Sequence, residues 1–211
     1  MHVRLIAWTG GRLEDLRRLI VLAVKTSAGK LELKDAEHYL REYREENVGK
    51  HVIESYKYPS VLEHVVFTFL IEGISRVTSH QLVRHRIASY TQESQRYSVV
   101  ERSYVLPASV VRAGFEEEFK KLMDEAYRLY DKMINAGVPY EDARYIIPQA
   151  VTTRLLMTVN LRELIHIACL RLSPQTQWEL RELVKLMIEE AKTVIPELPY
   201  LLQKMCEEPR T

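Results

Sequence analysis

The spacing of apolar and polar positions along the 211-residue chain changes period several times, and each change marks an element. Val3 to Trp8 is a short apolar run closed by Thr9-Gly10-Gly11, which predicts an opening strand. Leu13, Leu16, Leu19, Ile20 and Ala23 recur at helical spacing, so a helix is expected from Leu13 to Val24. Asp35 to Glu46 reads as a polar surface helix. Ser60 to His64 leads into Val65–Ile71, a β-branched and aromatic run that reads as a buried strand ended by Gly73. Ile74 to Val83 suits a short helix. The clearest helical stripe runs from Phe115 to Met133 through Phe119, Leu122, Met123, Ala126, Leu129 and Tyr130. Glu116, Glu117 and Glu118 complement its N-terminal dipole, and Gly137 follows its last turn. Pro139 restarts a short helix. Thr152 to Val159 reads as a second strand. Asn160 then caps a helix to about Leu172, with Glu163 placed for a capping box. Ser173-Pro174 opens a last helix reaching Val194, before Pro196. Helices and strands mix without regular β-α-β alternation, so the expected fold is α+β: a small, largely antiparallel sheet packed with helices, in a single domain over residues 1–211.

Composition narrows the function classes without naming one. The apolar fraction is 46% and the charged fraction 28%, as in ordinary globular proteins. A formal net charge of +1 gives no global field for bulk nucleic-acid binding, so affinity for anions must come from local clustering. No apolar run reaches membrane-span length, and the N-terminus lacks the apolar core of a signal peptide. The two cysteines, Cys169 and Cys206, have no metal-like spacing and cannot form a disulfide framework; they fit a reducing cytoplasm. Cys169, within Ile167-Ala168-Cys169-Leu170, reads as a small buried residue, and Cys206 as part of a frayed end. The seven histidines show no HxxxH or Cys/His ligand spacing, so no metal site is expected. His64 reads as a hydrogen-bonded core histidine.

The local clustering lies in Arg76 to Tyr97, RVTSHQLVRHRIASYTQESQRY. It holds Arg76, Arg84, Arg86 and Arg96 with His80 and His85, against the single acid Glu93, and contains no lysine. Guanidinium forks interleaved with Gln81, Ser89, Thr91, Gln92, Ser94 and Gln95 are the groups that recognise phosphates and nucleobases. Arg84, His85 and Arg86 are adjacent and cannot share one face. If extended, the arginines point one way and His85 the other; if helical, they fan out about 100° apart. A lone RHR is more often a solvated helix end. The seven-residue interval to Ser94, followed by Gln95-Arg96-Tyr97, tips the balance toward a site.

Arg84-His85-Arg86, seven residues, then Ser94 resembles the RHR-x7-S signature of flavin-dependent thymidylate synthases. The likeness extends upstream to Ser60-Val61-Leu62-Glu63-His64 and Phe67-Thr68-Phe69. Downstream it takes in Ala143-Arg144, Thr153-Arg154, Asn160 with Arg162, and Arg171. The resemblance implies a methyltransferase that makes dTMP from dUMP, with methylenetetrahydrofolate as one-carbon donor and NADPH as reductant through bound FAD. It also implies a cytoplasmic homotetramer with sites at subunit meetings. On that pattern Arg84, His85, Arg86, Gln92, Asn160, Leu161, Arg162 and His166 contact FAD, with Ser60 from a neighbouring chain. Gln81, Leu82, Val83, Arg84, Gln92, Glu93, Ser94, Gln95, Arg96 and Arg144 hold dUMP. Arg171 lies against the uracil and favours its ionised form. That role is physically sound, because a permanently charged guanidinium stabilises negative charge building on the ring. Tyr58 and Gln92 depart from the family pattern, which commonly has histidine and glutamate there. His166 replaces an asparagine seen in some relatives.

Two other classes compete. A cysteine-dependent thymidylate synthase needs a nucleophilic thiol, and the contexts of Cys169 and Cys206 do not suit one. A non-enzymatic nucleotide- or RNA-binding module could use the same Arg76–Tyr97 segment, with Tyr90 and Tyr97 for stacking, but no nucleic-acid signature accompanies it.

Overall fold

The computed structural model describes residues 1–10, 15–29 and 36–207. Strand β1, His2–Trp8, is followed by helix α1, Arg17–Ser27, and, after a π-turn at His38–Glu42, by α2, Glu45–Glu54. Two 3₁₀ turns, Ser55–Lys57 and Pro59–His64, lead into β2, Val66–Ser75. Helix α3, Arg76–Leu82, and strand β3, Ala88–Gln92, carry the basic segment. Then come α4, Ala108–Arg112; α5, Glu116–Asn135; α6, Tyr140–Ala143; and a 3₁₀ turn, Arg144–Ile146. Strand β4, Thr152–Asn160, passes directly into α7, Leu161–Arg171, and the chain closes with α8, Trp178–Lys192, and α9, Leu198–Glu207. The four strands form one small antiparallel sheet in the order β1-β2-β4-β3, as the α+β expectation requires.

The chain divides into two compact units, each assembled from separated segments. Unit 1 comprises residues 1–2, 71–84 and 91–155; unit 2 comprises residues 3–70, 85–90 and 156–211. The core of unit 1 gathers Met123, Tyr127 and Tyr130 of α5 with Val100, Ala143 and Val151. Buried hydroxyls need partners: Tyr130 accepts from the Val100 amide at 3.2 Å, and Tyr127 donates to the Ser103 carbonyl at 3.0 Å. In unit 2, α7 packs on α8, on α9 and on the 59–64 turn, burying Leu161, Leu164, Ile165, Ile167 and Ala168. Each fully buried leucine or isoleucine contributes roughly 1.5–3 kcal/mol, enough to fix this helix firmly. Thr9 fastens β1 to β2 by accepting from the Val66 amide at 2.7 Å while its own amide donates to the Val66 carbonyl. Glu190 of α8 covers the edge of β1 by accepting from the Leu5 amide at 2.8 Å, a protection exposed edges need.

Several expectations shift for identifiable reasons. The first helix begins at Arg17; its expected start at Leu13 lies outside the described residues. The polar helix expected from Asp35 to Glu46 is a π-turn that stops at Tyr43. Arg44 is extended there (ψ 134°), and a separate helix starts at Glu45; Asp35 lies outside the described residues. Strand β2 is buried on one face only, through Phe67, Phe69 and Ile71, and it does not end at Gly73. Gly73 adopts φ +70°, and a Cβ there would lie 3.3 Å from the Met1 nitrogen, so the strand continues through a position only glycine fits comfortably. Helix α8 starts five residues after Ser173, because Gln177, not Ser173, accepts from the Leu180 amide as N-cap. Phe115, Leu122 and Leu129 of the apolar stripe on α5 are exposed. His64 is exposed rather than in the core.

The cysteines overturn a chemical expectation. Cys169 of α7 and Cys206 of α9 form a disulfide, with Cα atoms 5.2 Å apart. Cys169 is half-buried and Cys206 sits on a formed helix rather than a frayed end. A spacing of 37 residues says nothing about adjacency; the packing of α9 on α7 supplies it.

Candidate active site

In unit 1 the site grows from the end of β2. Ser75 caps α3 by accepting from the Thr78 amide at 3.1 Å, and the amides of Arg76 and Val77 bond to the carbonyls of Val151 and Gln149. This anchoring fixes α3, which carries Gln81 and Leu82 and ends at the turn of Val83 and Arg84. Gln81 is half-buried, Val83 and Arg84 are exposed, and Leu82 is fully buried. Of these four, Gln81 and Arg84 offer polar side chains to a ligand. Gln92, at the end of β3, donates both amide hydrogens to protein oxygens, Ser79 Oγ and Thr153 Oγ1, each at 3.1 Å. Its carbonyl oxygen is therefore the group it can turn outward, and that is the part of a glutamate it still imitates.

The next residues make a tight turn. Ser94 Oγ accepts from the Arg96 amide at 3.2 Å, and Ser98 Oγ donates to the Ser94 carbonyl at 2.6 Å. Glu93 lies 3.5 Å from Arg154, which also pairs with Glu101. Arg96 pairs with Glu141 at 2.5 Å, and Arg144 donates from Nε to the Glu141 carbonyl at 3.0 Å. Arg96 and Arg144, 48 positions apart in sequence, are thus joined through one residue of α6. Arg76 adds a third guanidinium. Its Nε is buried without a hydrogen-bond partner, and its pKa is lowered, first by burial and then by the charge of Arg144, with Glu93 opposing. Two like charges acting on each other beside a desolvated donor favour an anion.

Between Arg84 and His85 the chain passes from unit 1 to unit 2. Arg86 is exposed while His85 is 6% exposed, so the adjacent basic residues do face differently. Neither Arg84 nor Arg86 makes an ion pair among the described residues. His85 is the centre of a buried cluster. Its Nε2 accepts from Arg171 Nε at 3.0 Å, and its Nδ1 lies 3.7 Å from the carboxylate of Glu163. Its ring meets His166 edge-on, with centroids 6.4 Å apart. Tyr90 donates its hydroxyl to the His85 carbonyl at 2.9 Å. Burial, then the charge of Arg171, then His166 push the His85 pKa down from 6.5 to about 4, so the imidazole is neutral at neutral pH. Burial also raises the Tyr90 pKa, with Glu163 adding to the effect.

Helix α7 positions most of this cluster. Asn160 Oδ1 accepts from the Glu163 amide at 2.8 Å, the N-cap the sequence suggested. The Glu163 carboxylate lies 3.7 Å from His85 Nδ1. Leu161 is fully buried, so only its backbone could meet a ligand. Arg162 is exposed and pairs with Glu63 at 2.5 Å; His166 and Arg171 are half-buried. Ser60 is exposed on the 59–64 turn. Arg171 therefore is not merely a cation at a helix end. Donor atoms of His85, Glu163 and His166 lie within 4.8 Å of one another, a grouping that histidine spacing alone does not reveal. A guanidinium 3.0 Å from one of those donors opposes a bound cation there.

An α+β chain with an arginine-rich anion pole in one unit and a buried histidine-arginine cluster in the other has the makings of a nucleotide-handling protein. Residues 4–197 match the family model described as thymidylate synthase complementing protein. The chain is 53% identical over 154 residues to the flavin-dependent thymidylate synthase of Pyrococcus furiosus, covering 69% of this chain and 63% of that one. It is 39% identical over 203 residues to the flavin-dependent thymidylate synthase of Sulfolobus acidocaldarius, covering 94% and 75%. The chain thus spans less than two thirds of the length of the Pyrococcus relative. A solved UMP/dUMP methylase from Streptomyces cacaoi, bound with 5-Br dUMP, shares the fold with a TM-score of 0.83 at 19% identity, covering 99% of this chain and 97% of that one. The chain belongs to the thymidylate synthase complementing protein family, that of the flavin-dependent thymidylate synthases.

Proposed function

We propose that this chain is a flavin-dependent thymidylate synthase, forming dTMP from dUMP with methylenetetrahydrofolate as carbon donor and NADPH as reductant. The observation that carries the reading is that both polar clusters fall inside the family match over residues 4–197. Arg96 and Arg144, joined through Glu141, hold the nucleotide phosphate together with Ser94. Gln81, Arg84, Gln92, Glu93 and Gln95 complete the nucleotide side, with Leu82 and Val83 contributing backbone. Arg171 faces the pyrimidine and stabilises the negative charge that must build there before carbon–carbon bond formation; being always protonated, it does so without titrating. Neutral His85 holds that guanidinium without competing for charge.

The donor set fits FAD. Arg86 is exposed without an ion pair among the described residues and suits a pyrophosphate. Ser60, Arg84, His85, Gln92, Asn160, Arg162 and His166, with the backbone of Leu161, supply further polar contacts. When bound, FAD supplies the redox chemistry that NADPH drives. Ile87 and Tyr97, 66% and 77% exposed within the basic segment, suit burial by another subunit, in keeping with a homotetramer that shares its sites. No described helix is long and apolar enough to cross a membrane. A cytoplasmic location belongs to the same proposal.

The test is spectroscopic. Protein incubated with FAD and desalted is expected to stay yellow, with an oxidised-flavin band that bleaches on adding NADPH. Absence of bound flavin, with nucleotide or RNA affinity retained, would favour a non-enzymatic binding module instead.

A further inference from the structure

Glu163 is an acid buried to 7% exposure on the packed face of α7. Asn160 already caps α7, and burying a carboxylate is expensive unless it is used. Its carboxylate faces His85 Nδ1, and the other ring nitrogen of His85 faces Arg171. An arginine Nε–H can only donate, so the Nε2 that receives it at 3.0 Å must present its lone pair. A neutral imidazole has one N–H, and here it must therefore sit on Nδ1. At 3.7 Å the Glu163 oxygen is beyond a formed hydrogen bond but well placed to attract that N–H dipole. The opposite tautomer would set two donors, Nε2–H and Nε–H, against each other and turn the Nδ1 lone pair toward a carboxylate. His166 meets the ring edge-on, and the Tyr90 hydroxyl donates to the His85 carbonyl at 2.9 Å.

We propose that Glu163 is a positioning residue for Arg171, acting by selecting the Nδ1–H tautomer of His85. The chain of action is geometric: carboxylate, imidazole tautomer, guanidinium orientation. Its consequence for catalysis rests on the reading that Arg171 faces the pyrimidine; the tautomer itself does not depend on that reading. Displacing a catalytic group by about an ångström can cost roughly a hundredfold in rate, so a tautomer mixture should lower kcat about tenfold or more. The dUMP KM should change little, because the arginines proposed for the phosphate, Arg96 and Arg144, are held by Glu141 instead.

The experiment uses full-length, FAD-loaded protein labelled with [15N]histidine, with His85→Gln to identify the His85 signals. Wild type is expected to show protonated Nδ1 and unprotonated Nε2 at neutral pH. Glu163→Leu should show a mixture of tautomers and the lowered kcat, whereas Glu163→Gln, which keeps an acceptor oxygen, should restore turnover to within about threefold of wild type. An Nε2–H form in wild type overturns the proposal, as does retention of pure Nδ1–H in Glu163→Leu, or unchanged turnover once the tautomer has shifted. If Glu163→Leu does not fold, the wild-type tautomer still decides. A protein with the expected tautomers but no dTMP formation would instead overturn the proposed enzymatic function.

Discussion

Acidification should unfold this protein partly through one residue. His85 is nearly inaccessible and faces Arg171, so its folded-state pKa lies near 4 against an ordinary 6.5. Between those values the unfolded chain binds a proton that the folded chain refuses. The stability contributed by the neutral ring is therefore complete above pH 6.5 and is lost as the pH falls toward 4. One pKa unit corresponds to about 1.4 kcal/mol, so the loss from pH 7 to pH 5 is about 2 kcal/mol, reaching on the order of 3 kcal/mol at pH 4. Carboxylates titrate in the same range, and the assay must subtract them. Urea unfolding of wild type and His85→Gln at pH 7, 6 and 5 does so: the variant starts less stable, and the gap should narrow by about 2 kcal/mol by pH 5. Parallel stability curves would show that His85 is not held neutral by Arg171 and burial, and would remove the electrostatic basis of the cluster.

Other outcomes follow from the same structure. Reduction of the Cys169–Cys206 bond, which closes a 37-residue separation, should cost up to about 4 kcal/mol by loop entropy; thermal melts with and without reductant should differ for wild type but coincide for Cys206→Ser. Asn160→Ala removes the α7 cap and should cost about 1 kcal/mol, a fall in Tm of roughly 2–4 °C. Gly73→Ala should destabilise by about 1–2 kcal/mol through its positive φ, and an unchanged melt would refute the tight fit against Met1. Arg86→Ala should weaken FAD retention during gel filtration while leaving the melt of flavin-free protein within about 1 kcal/mol of wild type.

The sequence made legible those features that local physics controls. The β2 and β4 runs, the α5 stripe and the Asn160 cap follow from residue periodicity and side-chain chemistry within a few positions. Strand β3 was not anticipated, because Ala88–Gln92 is polar and half exposed and earns its pairing from β4 rather than from its own pattern. Helix α9 and the disulfide depend on packing between distant segments. In the candidate site, the RHR triplet announced itself by charge, but the partners that give it chemistry did not. Glu141 joins Arg96 to Arg144 from an unremarked acidic turn. Glu163 reads as half of a capping box, and an acid among the buried Leu161, Leu164 and Ile165 is also a readable signal of a polar partner.

Whether Arg171 acts at a pyrimidine is decided by comparing dTMP formation with and without its guanidinium. FAD-loaded wild type and Arg171→Ala, given dUMP, methylenetetrahydrofolate and NADPH with oxygen excluded, are assayed for dTMP by chromatography. Wild type is expected to form dTMP and Arg171→Ala to lose at least about a hundredfold, the size seen when an electrostatic stabiliser is removed, with flavin content unchanged. Equal dTMP formation by the two proteins, or none by either, would contradict that role.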